Sequence, residues 1–128
     1  MMSDAVSAAR AVYDAFAAAD MPALDAALKH IEWHENLGMP YGGVWHGFAE
    51  VAQNVFGPIA NDIPDFSAIP DELLPLGADR AVAFGYYRGL DDKVAAPFCH
   101  VWTAKDGALV KFVQYADSHL YRVQAGLL

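Results

Sequence analysis

Cysteine and basic residues are scarce in this sequence, and each shortage excludes a class of function. Cys99 is the single cysteine, so neither an internal disulfide nor a cysteine-rich metal site can form. The 8 lysine and arginine residues are scattered among 16 acidic residues, which gives a net charge of −8. Nucleic acids and anionic membrane surfaces both require clustered positive charge. We therefore expect neither nucleic acid nor membrane as a partner.

The sequence also has no uninterrupted apolar run of membrane-spanning length. Its first ten residues, MMSDAVSAAR, lack the basic and apolar regions of a secretory signal. Together with the single cysteine, these features predict a cytoplasmic protein. A length of 128 residues with 55 % hydrophobic residues suits one globular domain over residues 1–128.

Capping residues and apolar spacing predict three helices in the first half of the chain. Ser3 or Asp4 is expected to cap the first helix, which carries apolar residues at helical spacing as far as Phe16. Asp20 is expected to cap the second helix. The third covers residues 48–56 and is predicted to end at Gly57-Pro58.

Strand and loop patterns occupy the parts of the chain outside these helices. Residues 31–35 alternate as a short strand with Trp33 and Glu35 on one face, and the glycine-rich residues 36–47 predict a loop. Three prolines in residues 62–77 limit that segment to a broken edge strand. Residues 80–90 form a strand with a bend at Gly85, and residues 118–128 form a short helix or a packed tail. This order predicts an α+β fold: a curved, mostly antiparallel sheet with three N-terminal-half helices on its concave face, enclosing a pocket.

The last two strands flank Asp106-Gly107, a strong hairpin signal, and their register decides which side chains face the pocket. A two-residue turn at Asp106-Gly107 would pair Cys99 with Gln114. A turn at Lys105-Asp106 with Gly107 as a bulge would pair His100 with Phe112, and we prefer it because it separates polarity better. One face then presents Phe98, His100, Trp102, Val110, Phe112, Gln114 and Ala116. Such a face is typical of an apolar pocket with a few polar groups.

Three segments resemble the nuclear transport factor 2-like cone fold, and within it the SnoaL-like group, to which polyketide cyclases belong. These segments are the paired N-terminal helices, the run WHENLGMPYGGVWHG with its following helix, and HVWTAKDGALVKFVQYAD. Steroid isomerases are more distant relatives. The resemblance covers nearly the whole chain, and it implies a fold that hosts enzymes, binding proteins and transport factors and commonly forms homodimers.

The resemblance also suggests roles for particular residues. His100 matches the strand histidine that lines the cyclase pocket, and Gln114 stands where those cyclases carry an aspartate that acts as general acid and base. Glutamine cannot exchange protons at ordinary pH, although it can hold a carbonyl or hydroxyl group. Glu35 falls near the catalytic carboxylate of the isomerases, and Tyr13 near their oxyanion-binding tyrosine. Cys99 replaces the second oxyanion donor, so that half of the isomerase site is absent.

The candidate catalytic residues are therefore Glu35 and His100, each of which has a purely structural alternative as a core or solvated group. The candidate ligand-binding residues are Gln114, Tyr13, Trp33, Tyr41, Trp102, Phe112 and Asp117. The histidines lack the spacing of a metal site, so no metal is expected.

Three hypotheses follow for the function. In the first, Glu35 removes a proton from a small, apolar, ring-bearing substrate, in chemistry of the isomerase, cyclase or dehydratase kind that needs no metal or redox cofactor. In the second, the cavity only binds an apolar metabolite. In the third, which is compatible with either, the outer sheet face around Val101, Val113 and Tyr115 joins two copies into a homodimer.

Overall fold

The computed structural model describes residues 4–128, so the predicted cap at Ser3 lies outside the described residues. Helix α1 spans Asp4–Ala17, and its alanines favour helix and allow close packing. Val6, Val12 and Tyr13 belong to its buried face. This face packs across the sheet, which brings Tyr13 to the centre of the domain.

Helix α2 spans Met21–Ala27 and begins as the sequence predicts. The Ala23 backbone N–H donates to Asp20 Oδ1 at 3.1 Å, which satisfies one of the free N–H groups of the first turn. Leu24 and Leu28 are fully buried. The predicted cap at Asp20 is confirmed.

Helix α3 is longer than the sequence predicts. It runs over residues 47–62 as an α-helical segment Gly47–Val51, a π-helical segment Ala52–Phe56 and a second α-helical segment Gly57–Asp62. The prediction that Gly57-Pro58 ends this helix is wrong. In the π-helical turn the Gly57 N–H bonds to Ala52 O, and this wider turn lets the chain pass Pro58, which has no N–H to give.

Six strands form one mixed sheet in the order β2-β1-β6-β5-β4-β3. Only β1 and β6 pair in parallel among these neighbours, and the α+β prediction is confirmed. The strands are β1 Glu32–Glu35, β2 Gly43–His46, β3 Ser67–Leu76, β4 Arg80–Gly89, β5 Val94–Lys105 and β6 Ala108–Ala116. The prediction of an unbroken loop over residues 36–47 is wrong, because Gly43–His46 pairs with β1.

The proline-containing strand β3 lies at the sheet edge, as the sequence predicts. Its register shifts between Pro70 and Glu72, opposite Gly85 of β4. A Cβ atom at Gly85 would lie 2.8 Å from Phe98 Cζ and 2.9 Å from Ile69 O. Glycine is therefore required here by close packing between three strands.

Next to the turn, the hairpin of β5 and β6 has the register predicted for a two-residue turn at Asp106-Gly107, and beyond a bulge it has neither predicted register. Asp106 and Gly107 form a two-residue turn with positive φ at both positions, and Lys105 pairs with Ala108. Between Thr103 and Ala104 the register shifts by one residue, which leaves Val110 as the extra residue. The predicted pairing of His100 with Phe112 is therefore wrong, because His100 lies opposite Gln114. The predicted buried face is nevertheless right beyond this bulge: Phe98, His100, Trp102, Phe112 and Gln114 are all buried.

The chain ends in helix α4, Ser118–Ala125, which Asp117 caps and Gly126 closes in a left-handed conformation with φ of +72°. Of the two predictions for this segment, the short helix is the one found. No helix within residues 4–128 is long and apolar enough to cross a membrane.

Candidate functional site

A cavity lies between α1, α3 and the inner face of the sheet. The volume open to the centre of a water molecule is about 50 Å³. A water occupies roughly 10–15 Å³ on this measure, so the space suits a few waters or one small ring. The lining residues from the helices and their flanks are Val12, Tyr13, Phe16, Met39, Val55, Phe56, Ile59 and Phe66. Those from the strands are Trp33, Glu35, Ala68, Tyr87, His100, Trp102, Phe112 and Gln114.

Most of the predicted site residues meet in this cavity. Seven of the nine line it: Tyr13, Trp33, Glu35, His100, Trp102, Phe112 and Gln114. The other two lie elsewhere. The Tyr41 hydroxyl donates to Asp62 Oδ2 at 3.0 Å and bonds to the Tyr121 hydroxyl. Asp117 is exposed and accepts the Leu120 N–H at the start of α4.

Glu35 is buried with one of its carboxylate oxygens incomplete. Strand alternation in β1 turns Trp33 and Glu35 inward together, and Trp33 Nε1–H donates to Glu35 Oε1 at 2.9 Å. Among the described residues, Glu35 Oε2 has no hydrogen-bond partner. Burial raises the pKa of this carboxyl to about 7, although Trp33 and the neighbouring Gln114 amide counteract part of the effect. A carboxylate of this kind can accept a proton near neutral pH.

His100 is held between aromatic rings at the centre of β5. Its ring stacks on Phe98 at a centroid distance of 4.0 Å, and the Tyr13 ring lies parallel to it at 5.9 Å. The Tyr13 hydroxyl lies 2.6 Å from Nδ1, and the Tyr87 hydroxyl lies 2.6 Å from Nε2. Burial lowers the pKa of His100 to about 3, so the imidazole is neutral at physiological pH.

Gln114 is fixed at both ends of its amide. Its Nε2–H donates to the Tyr87 hydroxyl at 2.6 Å, and its Oε1 accepts the Asn36 backbone N–H at 2.9 Å. The Asn36 side chain in turn donates to Ala116 O at 3.1 Å. These bonds connect the end of β1 to β6 and orient the Gln114 amide, so Gln114 can position neighbouring groups but cannot transfer protons.

Sequence reasoning missed Tyr87, which connects His100 to Gln114. A signal was present: the inward positions of β4 before Tyr87 are Ala81, Ala83 and Gly85, all small. Small residues leave space over the inner face of β4, and the large polar Tyr87 at the end of this run lines the cavity. The sequence alone could not separate Tyr87 from the adjacent Tyr86, because a bulge at Gly85 would have exchanged their faces.

Three missed phenylalanines separate the cavity from the protein surface. Phe16, Phe56 and Phe66 are half-buried, and they line both the cavity and a neighbouring surface depression. Their rings are in contact, with centroids 5.1 Å apart for Phe16 and Phe56 and 6.0 Å apart for Phe16 and Phe66. A ligand that enters from this side must pass between them.

Within residues 4–128 no three His, Cys, Asp or Glu side chains are grouped so that they could hold a metal ion. His34 points away from Glu35 and lies 2.7 Å from Glu32 Oε2 on the outer side of β1. This contact lowers the pKa of the exposed Glu32 carboxyl. Glu32 and Glu35 therefore provide an exposed and a buried carboxylate on one strand, which makes them a matched pair for mutagenesis.

Comparison with solved structures identifies the architecture. No protein-family model and no curated protein matches the chain. An NTF2-like protein of Burkholderia thailandensis E264 is 27 % identical, with a TM-score of 0.85 over 98 % of each chain. An NTF2-like protein of unknown function from Burkholderia pseudomallei K96243 is 29 % identical, with a TM-score of 0.83 over 97 % of this chain and 98 % of that one. TerC, co-crystallized with polyporic acid, is 23 % identical, with a TM-score of 0.82 over 97 % of this chain and 99 % of TerC. More distant similar structures include proteins assigned to the polyketide cyclases and their SnoaL-like group.

Proposed function

Since this chain has the NTF2-like fold, we propose that it binds a small, apolar, ring-bearing molecule in the cavity and transfers a proton with Glu35 as the base. The observation that carries this proposal is the environment of Glu35. Its carboxyl group lines an apolar cavity and has a pKa of about 7, and its Oε2 atom has no hydrogen-bond partner among the described residues. A general base is most effective when its pKa lies close to the working pH.

The reaction class follows from the surroundings of Glu35. The cavity wall is almost entirely apolar, which excludes water and favours abstraction of a proton from a C–H group beside a carbonyl. Isomerisations, cyclisations and dehydrations of the kind that begin with such a step can proceed without a metal or redox cofactor. The similar structure of TerC with polyporic acid supports a small organic ligand for a protein of this fold.

The test is deuterium exchange into a one-ring ketone, because it needs no knowledge of the natural substrate. We expect the wild-type protein to accelerate exchange of the α-protons of acetophenone in deuterated water, as followed by proton NMR. Glu35→Gln should slow this exchange by about 10²–10⁴-fold, because the general base is lost. Its affinity for acetophenone should remain nearly unchanged.

Glu32→Gln is the matched control, since it removes an exposed carboxylate from the same strand. It should exchange protons at the wild-type rate. Equal loss in the two variants, or equal loss of exchange and affinity in Glu35→Gln, would refute the role of Glu35 as base.

A non-catalytic binding protein is the second candidate, and the other two polar groups of the cavity favour it. His100 is neutral and Gln114 carries an amide, so neither supplies a proton donor as acidic as an aspartic acid. Under this alternative, acetophenone would bind the wild-type protein saturably without any deuterium exchange.

We also propose that a second copy covers the outer face of β4, β5 and β6. Phe84, Tyr86 and Tyr115 expose 42 %, 41 % and 57 % of their surface there, beside the half-buried Val101 and Val113. Large apolar patches of this kind are typical of interfaces. Light scattering of a dilute solution should give twice the mass of the chain.

The Tyr115→Lys variant should shift the protein towards the monomer, because a charge would be buried at the centre of the interface. Met21→Lys is the control, since Met21 is 48 % exposed on helix α2, beside Phe16 and Phe56 on the helical side of the domain. A monomeric wild-type protein would contradict the dimer.

A further inference from the structure

Tyr13, His100 and Tyr87 form a continuous hydrogen-bonded chain along the cavity wall. Tyr13 and Tyr87 each lie 2.6 Å from one nitrogen of the His100 ring. Trp102 Nε1–H donates to the Tyr13 oxygen at 2.9 Å, and Gln114 Nε2–H donates to the Tyr87 oxygen at 2.6 Å. Because these two outer nitrogens can only donate, each tyrosine oxygen already accepts one hydrogen bond.

The three residues of this hydrogen-bonded series carry more polar hydrogens than the hydrogen bonds between them can use. The two tyrosine hydroxyls contribute one hydrogen each, and the neutral His100 ring contributes one more. The chain has only two internal hydrogen bonds, one on each side of the ring, and each uses one hydrogen. One hydrogen is therefore left without a place in the chain, and it always belongs to a tyrosine hydroxyl.

The tautomer of His100 decides which hydroxyl carries this free hydrogen. When Nε2 bears the ring hydrogen, it donates to the Tyr87 oxygen, Tyr13 donates to Nδ1, and the Tyr87 O–H is free. When Nδ1 bears it, the pattern reverses and the Tyr13 O–H is free. Shifting one hydrogen across each of the two short bonds, from Tyr13 towards Tyr87, leaves the Tyr13 oxygen without a hydrogen and the Tyr87 oxygen with two. The interconversion is complete when a water molecule or ligand oxygen accepts the surplus proton from Tyr87 and a proton is returned to the Tyr13 oxygen.

The cavity contains no partner for this hydrogen among the described hydrogen bonds. The Tyr13 hydroxyl bonds only to His100 and Trp102, and the Tyr87 hydroxyl only to His100 and Gln114. The other incomplete group in the cavity is Glu35 Oε2, an acceptor without a donor. A buried donor without an acceptor is costly, so an oxygen atom from outside the protein would complete the site.

We propose that Tyr13, His100 and Tyr87 act as one relay whose single free hydroxyl hydrogen binds an anionic or strongly polarised oxygen of a one-ring ligand. A change of His100 tautomer moves this donor between the Tyr13 end and the Tyr87 end. The ligand class is a phenolate, an enolate or a carbonyl compound that enolises. The relay deepens the proposed function by naming the oxygen-bearing class of ligand, but ligand binding through it does not require turnover.

Ligand binding can be measured with 2,6-difluorophenol and with 1,3-difluorobenzene, which has the same ring without the oxygen. We would use fluorine NMR in the Glu35→Gln background, at a pH where the phenol is ionised, so that the Glu35 charge does not repel the ligand. Tyr87→Phe or Tyr13→Phe should weaken phenolate binding by about 10–100-fold, the usual value of a hydrogen bond to a charged group. Both should change difluorobenzene binding much less.

Tyr41→Phe is the matched control, because the Tyr41 hydroxyl bonds to Asp62 and Tyr121 outside the cavity. It should leave the affinities for both compounds unchanged. Equal weakening of both compounds, no weakening by either cavity variant, or no binding of either compound would overturn the proposal. Since the background lacks Glu35, failure of the deuterium-exchange test leaves these outcomes unaffected.

Nitrogen NMR of labelled histidine provides a readout that a merely structural His100 would not change. In the free protein the two ring nitrogens should show shifts averaged between the two neutral tautomers. Bound difluorophenolate should move them towards the values of one tautomer, whereas difluorobenzene should not. A single fixed tautomer in both the free and the bound protein would contradict the relay.

Discussion

The Glu35→Gln variant should gain about 3 kcal/mol of stability over the wild-type protein as the pH rises from 4.5 to about 7. In this range the unfolded chain has lost the Glu35 proton while the folded protein still holds it, because burial disfavours the charge. Wild-type stability attributable to Glu35 is therefore present at low pH and is lost as the pH rises through 7. Glutamine does not titrate, so it avoids this loss.

The comparison between variants is necessary because His100 has the opposite effect. Its pKa falls from 6.5 to about 3 on burial, so the stability that depends on neutral His100 is lost as the pH falls below 6.5. The two slopes nearly cancel in the wild-type protein between pH 4.5 and 6.5. The free energy of unfolding of wild type and Glu35→Gln, measured with urea across the pH range, separates the contribution of Glu35 from that of His100. Glu32→Gln should show the reverse trend, and only at or below about pH 4.5, because the pKa of Glu32 is lowered in the folded protein. A stability difference for Glu35→Gln that does not vary with pH would show that Glu35 titrates normally.

The His100→Leu variant should lose about 2–4 kcal/mol of stability, because it leaves two buried tyrosine hydroxyls without their central partner. Leucine fills a similar volume, so most of the loss reflects hydrogen bonding rather than a cavity. Urea unfolding at neutral pH, where the wild-type imidazole is neutral, measures this loss directly.

A double-mutant cycle with Tyr87→Phe tests whether the loss comes from the chain of hydrogen bonds. In the wild-type background, Tyr87→Phe breaks two hydrogen bonds, one to His100 Nε2 and one from Gln114 Nε2. In the His100→Leu background, it breaks only the bond from Gln114 Nε2. The loss of unfolding free energy in the double variant should therefore be smaller than the sum of the two single-variant losses by about 1 kcal/mol or more. Tyr41→Phe, which touches none of these residues, should combine additively with His100→Leu. Additive losses for Tyr87→Phe would mean that the two residues stabilise the protein independently.

Local chemistry was enough to predict most of the elements. Asp20 and Asp117 have capping side chains that can bond to the N–H groups three residues later, and only Asp20 was identified as a cap in advance. The alternation of β1 places Trp33 and Glu35 on the same face of the strand, whatever the rest of the chain does. In contrast, strand β2 depends on its pairing with β1, because Val44 and Trp45 favour a strand while the glycines beside them favour a loop.

The hairpin shows how a right face can follow from a wrong pairing. The predicted register differs from the real one by two residues, so every side chain beyond the bulge stays on the predicted side. The sequence could not place the bulge at Val110, because bulges depend on how the strand twists against its neighbours. His100 therefore faces Gln114 rather than Phe112, and that pairing assembles the polar cluster.

The sequence by itself determined the α+β class, the shared face of Trp33 and Glu35 and the polarity of the two last strands, because caps, alternation and turn residues act over a few neighbouring positions. Only the tertiary structure decided which polar groups meet. Tyr13, Tyr87, His100 and Gln114 come from one helix and three strands, and they make contact because α1 packs across β4, β5 and β6. The burial of Glu35, which raises the pKa of its carboxyl, is a property of that packing and not of any short stretch of sequence.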